Sequence, residues 1–467
     1  MTDSLYWYDF ETTGIDPVVD RPLQFAGLRT DFELNEVSEP QNILCKPGTD
    51  IVPQPEALLV TKILMSRIVD EGISERAFAE KVLEQFSQPQ TCVVGFNSLR
   101  FDDEFTRQML YRNFHDPYSR EWRNGNSRWD VIDLFRATYA LRPEGVNWPR
   151  NETGDPSFRL EDLARENGIT HSDAHDALAD VRATIAVTKL LRQAQPKIYD
   201  FMFALRDKKA VLQQLYPLGK KPVIHVSSMY PASRGCTAVV LPLCQHPTNG
   251  NAIICFDLSQ STEDLLHATP SELGRLVFTK SVELKDTEER IALKTIQINR
   301  CPFVAPISTL GPEVAKRLGI DLRQCEEHMA EIMKSAGVVE KIQEAFAHHQ
   351  FDSVDDPDHQ LYQGGFFSEA DKSTMRELLV SPPDQLVRFS GKFQDDRLDE
   401  MLFRFRGRNH LDTFNEDELL RWNQYRYERW SIEQVSRDIE QLMSDCDEES
   451  RLVLAELEKY IVDLGKL

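Results

Sequence analysis

A short apolar strand, Leu5–Asp9, runs directly into a second carboxylate at Glu11. Side chains alternate along a strand, so Asp9 and Glu11 project to one face while Phe10 points to the opposite, buried face. Two acids side by side resist joint ionisation unless a cation lies between them. The pair is therefore either a solvated strand end or half of a metal site. Oxygen-only ligands of this kind suit Mg²⁺ or Mn²⁺.

Two further acidic stretches repeat the pattern in other settings. Asn97-Ser98-Leu99-Arg100-Phe101-Asp102 follows the apolar strand Thr91–Gly95 and opens a helix through Glu104, Arg107 and Leu110. Asp102 by itself reads equally well as a helix cap, and Asp103 and Glu104 compete with it. Asp102 is preferred because it directly follows the aromatic residue. His175-Asp176-Ala177-Leu178-Ala179-Asp180 enters a helix whose apolar stripe is Leu178, Val181, Ile185, Leu190 and Leu191. A helix turns ~100° per residue, so His175 and Asp180 face one site only if His175 lies on the entering loop. Alone, His175 is also readable as a surface or capping histidine, and Asp176 as a first-turn acid favoured by the helix dipole.

Around these motifs the chain falls into three compositional zones. The first, 1–195, reads as α/β, with strands at Leu5–Asp9, Leu23–Arg29 and Thr91–Gly95. Its helices are expected at Ala77–Phe86, Asp130–Leu141, Arg159–Asn167 and Asp176–Arg192, and mixed strands and helices imply a sheet covered by helices. The second, 196–345, is β-rich, with runs at Val223–Val226, Thr237–Leu243, Ala252–Asp257 and Ile291–Ile298 separated by Pro, Asn and Gly. The third, 346–467, is charged and helical, with apolar periodicity at Ile432, Val435, Ile439 and Leu442 and a closing helix through Leu452, Leu454, Leu457, Ile461 and Leu464.

Composition narrows the function classes. No apolar run approaches the ~20 residues of a membrane span, and the start lacks a basic segment followed by an apolar one, so a cytoplasmic protein is expected. The eight cysteines form no Cys-x-x-Cys pair, which argues against a zinc ribbon or a disulfide framework and leaves buried structural thiols. No Gly-x₄-Gly-Lys-Ser/Thr loop supports a helicase. The net charge of −22 is unusual for a nucleic-acid enzyme, but it is uneven: 201–250 holds six basic residues and one acidic, and 431–467 holds ten acidic and four basic. Only charges within about a Debye length, ~8–10 Å, act strongly on a ligand, so a local basic track is compatible with an acidic whole.

The three acidic stretches together match, in order, spacing and placement, the Asp-x-Glu, Asn-x₃-Phe-Asp and His-x₄-Asp signature of DEDDh exonucleases. Longer stretches resemble the bacterial exonuclease I family: Tyr111–Tyr118, Asn126–Asp130, Arg142–Pro149, Pro156–Leu160, the region of Cys301-Pro302, and Leu361–Phe367. The resemblance implies an RNase H-like exonuclease domain with a mixed sheet over 1–195, an SH3-like β-barrel domain over 196–345 and an all-α domain over 346–467. It implies processive 3′→5′ digestion of single-stranded DNA and a role in repair and recombination. Asp9, Glu11, Asp102 and Asp180 would bind two Mg²⁺ ions, or Mn²⁺, with His175 as general base. Glu11 and Arg159 would lie against the terminal nucleotide, and Arg107, Tyr118, Trp122 and Arg136 would contact DNA.

Read from the residues alone, Tyr118 and Trp122 lie among Arg112, Arg120, Arg123 and Arg128, a mixture that suits stacking on unpaired bases but equally describes core aromatics beside a solvated charge run. Arg159 is likewise readable as a first-turn helix residue. Thr13 agrees with the wider superfamily, whereas exonuclease I relatives can carry an aromatic residue nearby, a small change beside the site. The family also binds the acidic C-terminal tail of single-stranded DNA-binding protein, for which Arg142 and Lys221 are the basic candidates. Gly311 stands where relatives could carry a basic residue. A monomer is expected. The rival readings are a DEDDh exoribonuclease, since the carboxylates act on phosphate in either polymer, and a non-catalytic single-stranded DNA scaffold, against which the intact acidic set weighs.

Overall fold

The computed structural model describes residues 3–171, 176–285, 288–347, 353–444 and 446–466. The chain forms two compact units: Met1–Ser127, His171–Ile185 and Ser353–Leu467 in one, and Arg128–Thr170 and Ala186–Asp352 in the other.

The first unit is built on a mixed sheet of β1 (Ser4–Thr12), β2 (Pro22–Thr30), β3 (Gln41–Lys46), β4 (Ile73–Ser74) and β5 (Thr91–Gly95). Its order is β4-β3-β2-β1-β5. β1 pairs antiparallel with β2 and parallel with β5, so it runs through the middle of the sheet. The alternation expected of β1 is present: Tyr6, Tyr8 and Phe10 enter a core with Phe25, Phe78, Val82, Phe86, Val93, Met109 and Leu110. The helix Glu75–Phe86 covers that face, as its apolar spacing predicts.

The C-terminal zone joins this unit rather than standing apart. Val453, Leu454, Leu457, Ile461 and Leu464 of the closing helix, Glu448–Leu464, share a core with Leu23, Leu44, Leu58, Met65 and Ile68. Leu361, Met375, Leu378, Leu398, Leu402 and Phe405 close a second core with Tyr111 and Phe114. Buried ion pairs accompany this packing. Arg408 meets Asp50 at 2.9 Å and also Asp358, while Arg21 lies 3.8 Å from Asp50 and 3.5 Å from Glu75.

The chain leaves the first unit along β6 (Ser127–Asp130). The helix expected from Asp130 begins at Ile132 instead, because Asp130 ends this strand and its carboxylate accepts the Ile132 N–H at 3.0 Å. In the second unit, β7 (Val223–Val226), β8 (Thr237–Gln245), β9 (Ala252–Asp257), β10 (Leu293–Gln297) and β11 (Phe303–Pro306) form a sheet in the order β10-β9-β8-β7-β11. The pairings β10–β9, β9–β8, β8–β7 and β7–β11 are all antiparallel. Helices such as Pro270–Phe278 and Leu322–Lys334 complete the zone read as β-rich. Seven cysteines are buried, Cys446 is partly exposed, and all eight are free thiols. Among the described residues no helix is long and apolar enough to cross a membrane.

Candidate active site

The acids converge from three elements of the first unit. β1 supplies Asp9 and Glu11, opposite Ala26 and Gln24 of β2, and its pairing shifts register immediately after Glu11. The turn that follows is tied down: Thr13 N–H donates to Arg21 O at 2.8 Å, Gln54 N–H to Thr13 O at 2.7 Å, and the Thr13 hydroxyl to Asp20 at 3.1 Å. The Asp20 and Gln54 side chains close over Gly14, where a Cβ would meet them at 2.4 Å and force them to shift.

The third acid arrives on α1 (Asp102–Arg112). Asn97, at φ +63°, turns the chain out of β5 in a left-handed conformation that Asn tolerates. The three successive acids of α1 then separate by direction. Asp102 accepts the Phe10 N–H at 3.1 Å, between the two acids of β1. Asp103 takes the Tyr8 hydroxyl and Arg120. Glu104 takes Arg107 and Tyr362.

The third source is α2 (Ala177–Ala194). Asp176 caps it, its carboxylate accepting the Leu178 and Ala179 N–H groups at 3.1 and 3.2 Å, while its other oxygen accepts from Gln24 at 3.3 Å. Asp176 is thus an N-cap, one position outside the first turn in which the sequence placed it. Asp180 stands one turn further in. Oxygen atoms of Asp9, Glu11 and Asp180 all lie within 4.8 Å of one another. His175 lies outside the described residues. His171, to which the sequence reading gave no role, contacts the Asp180 carboxylate through its Nε2. The doublet of histidines at 171 and 175 was the available signal.

This gathering of negative charge is electrostatically costly. Burial, followed by Asp102, Glu11, Asp180 and Asp176, raises Asp9 well above the carboxylate range. Burial, followed by Asp180, Asp102 and Asp176, pushes Glu11 up to about 9. Oxygen donors that repel one another this strongly fit a hard divalent cation, which would replace the missing counter-charge.

Family models match the chain in sequence: Exonuclease over 6–188, Exonuclease I SH3-like domain over 206–348, and Exonuclease I C-terminal domain over 355–464. Exodeoxyribonuclease I of Haemophilus influenzae is 44% identical over 425 residues, covering 91% of this chain and 90% of the relative. The chain belongs to the exonuclease I family. Among solved members, exonuclease I of Methylocaldum szegediense superposes with a TM-score of 0.94 at 45% identity, over 99% of this chain and 100% of that one. E. coli exonuclease I in complex with a dA16 oligonucleotide gives 0.95 at 40% identity, over the same shares. The E. coli enzyme is also known with single-stranded DNA and a zinc ion, and an SSB/exonuclease I structure in complex with the inhibitor CFAM superposes with a TM-score of 0.92 at 39% identity.

The residues that exonuclease I resemblance assigns to DNA are placed unequally. Trp122 is 65% exposed, with the Arg123 guanidinium 5.8 Å from its ring centroid. Tyr118 lies under Arg107 at 5.4 Å and edge-on to Phe366. Arg107 is buried, donating to Glu121 at 2.8 and 3.0 Å and to Glu104 at 3.1 Å. In the second unit, Arg136 is buried against Asp133 at 2.7 Å, whereas the Arg159 side chain is 71% exposed beside Glu161. Arg142 is exposed, Lys221 half-buried, and Gly311 caps the helix Pro312–Arg317.

Proposed function

We propose that this chain is a metal-dependent exonuclease that hydrolyses single-stranded DNA processively from the 3′ end and releases 5′-mononucleotides. The observation that carries the reading is the convergence of Asp9, Glu11 and Asp180, with Asp102 fastened between the first two, in a chain that matches exonuclease I along nearly its whole length. Asp9, Glu11, Asp102 and Asp180 would hold two Mg²⁺ ions, with Mn²⁺ as the alternative. When bound, such ions offset charge on the scissile phosphate and acidify water.

The chain's own groups supply the remainder. His175 takes a proton at its ring nitrogen from the attacking water, since an imidazole with an ordinary pKa of about 6.5 accepts protons near neutrality. Glu11 and Arg159 hold the terminal nucleotide. Trp122 and Tyr118 stack on unpaired bases. Arg107 and Arg136 reach the backbone by exchanging a carboxylate partner for phosphate. A single-stranded DNA-binding protein would dock its acidic tail on Arg142 and Lys221, as a partner of a monomeric, cytoplasmic repair enzyme.

The test is digestion of end-labelled single-stranded DNA, duplex DNA and RNA, each with Mg²⁺ or EDTA. Mg²⁺-dependent release of mononucleotides from 3′ ends of single-stranded DNA is expected. Its absence would overturn the proposal, and preferential digestion of RNA would move the chain to the exoribonucleases.

A further inference from the structure

Asp103 sits directly after the metal-site residue Asp102, yet it faces the other side of β1. Its side chain is buried, and one carboxylate oxygen accepts from two partners: the Tyr8 hydroxyl at 3.2 Å and Arg120 Nη2 at 2.6 Å. Tyr8 immediately precedes Asp9. Arg120 lies two residues before Trp122, in the segment that connects α1 to β6. A single oxygen therefore joins the strand carrying Asp9 and Glu11, the helix carrying Asp102, and the loop presenting Trp122.

The geometry of Arg120 makes this joint demanding. Its side chain is fully buried, 5.0 Å from the centroid of the Phe86 ring, and the next carboxylate, Glu121, is 3.9 Å away. A buried guanidinium without a close counter-charge is costly, so the 2.6 Å contact with Asp103 fixes where this part of the loop can sit. The same loop is held a second time where Glu121 receives Arg107. Both tethers originate on α1, close to the metal-site acid.

We propose that Asp103 is a positioning residue that sets the Trp122 loop relative to the metal-site acids, so that the strand stacked on Trp122 is presented in register with them. The inference rests on the reading of Trp122 as a base-stacking residue. Asp103 touches neither metal nor DNA in this role. It acts through Arg120.

The test is a double-mutant cycle on oligo(dT) affinity, measured by anisotropy in EDTA with the full-length chain. Trp122→Ala is expected to raise Kd about 5–150-fold, the range for loss of one stacked base. Asp103→Asn is expected to raise Kd by at least about fivefold, and the double variant is expected to lie within about twofold of the weaker single, because the two changes act through one contact. Mg²⁺ affinity by calorimetry should stay unchanged in Asp103→Asn. If that variant folds poorly, Asp103→Asn combined with Arg120→Gln leaves neither charge buried alone, and the same loss is expected of it. No loss from Trp122→Ala overturns the stacking reading together with this inference. A loss from Trp122→Ala alone, or two losses that add fully, overturns the role of Asp103 and leaves the stacking reading intact, and so does a fall in Mg²⁺ affinity.

Discussion

The carboxylate of Asp102 accepts the backbone N–H of Phe10 at 3.1 Å, so the first residue of α1 is fastened to β1 midway between Asp9 and Glu11. An acid in that position has two duties, one geometric and one electrostatic, and a suitable variant separates them.

Asp102→Asn keeps an oxygen to accept the Phe10 N–H and removes the charge. Expected is a folded protein with turnover lowered by at least about 100-fold and weakened Mg²⁺ binding, while DNA affinity in EDTA is retained. Single-turnover rates and calorimetry check this. Near-normal turnover in the amide variant would remove Asp102 from the metal site.

The repelled acids make metal binding depend on pH. Glu11 ordinarily titrates at 4.5 and is pushed up to about 9 by burial and by Asp180, Asp102 and Asp176, with Asp9 also raised well above its ordinary value. Without metal, the folded state therefore keeps protons that the unfolded chain releases, and stability from these groups is lost as pH rises from about 4.5 towards 9. Binding of a divalent cation should release those protons. The rise in Tm on adding Mg²⁺ is expected to grow between about pH 6 and 9, with proton release visible as a buffer-dependent calorimetric enthalpy. A metal-induced shift that is flat across this range would contradict the electrostatic account.

Asp176 and Asp180 stand one helical turn apart and should behave differently. Asp176→Ala removes the acceptor of the Leu178 and Ala179 N–H groups and is expected to cost about 0.5–2 kcal/mol in chemical denaturation, while Mg²⁺ binding is largely retained. Asp180→Ala should instead abolish Mg²⁺ binding with little loss of stability. The reverse pattern would exchange their roles.

Asp358 lies buried between Arg404 and Arg408. Burial alone would raise its carboxyl, but Arg408 and then Arg404 hold it well below the usual range. Asp358→Ala leaves these guanidinium groups without that partner and is expected to cost about 3–5 kcal/mol at neutral pH. The penalty should shrink in strong acid, because the stability supplied by a depressed carboxyl disappears as pH falls through its folded value. Urea unfolding across pH checks both statements.

Much of the site was legible because it depends on short-range geometry. The two-residue period of a strand puts Asp9 and Glu11 on one face and Phe10 on the other, whatever surrounds them. The short strands β3 and β11 escaped notice because Gln-Asn-Ile-Leu-Cys-Lys and Phe-Val-Ala-Pro carry too little alternation to stand out. Choosing among Asp102, Asp103 and Glu104 needed the family motif, since all three acids open the same helix and are told apart by the partners each meets in the folded chain.

The acidic motifs, the helix that carries Asp180, and membership of a family with three recognisable segments follow from the chain alone, because local periodicity and motif spacing are properties of its order of residues. Folding in three dimensions was needed to establish that the C-terminal zone shares its cores with the first zone, that Asp176 caps α2, and that Arg21, Arg112, Arg120 and Arg408 are buried rather than solvated. An apolar stripe specifies that it will be covered, not by what. Arg21, Arg112, Arg120 and Arg408 each enter the interior against a carboxylate well removed in sequence, and those pairings exist only in the folded chain.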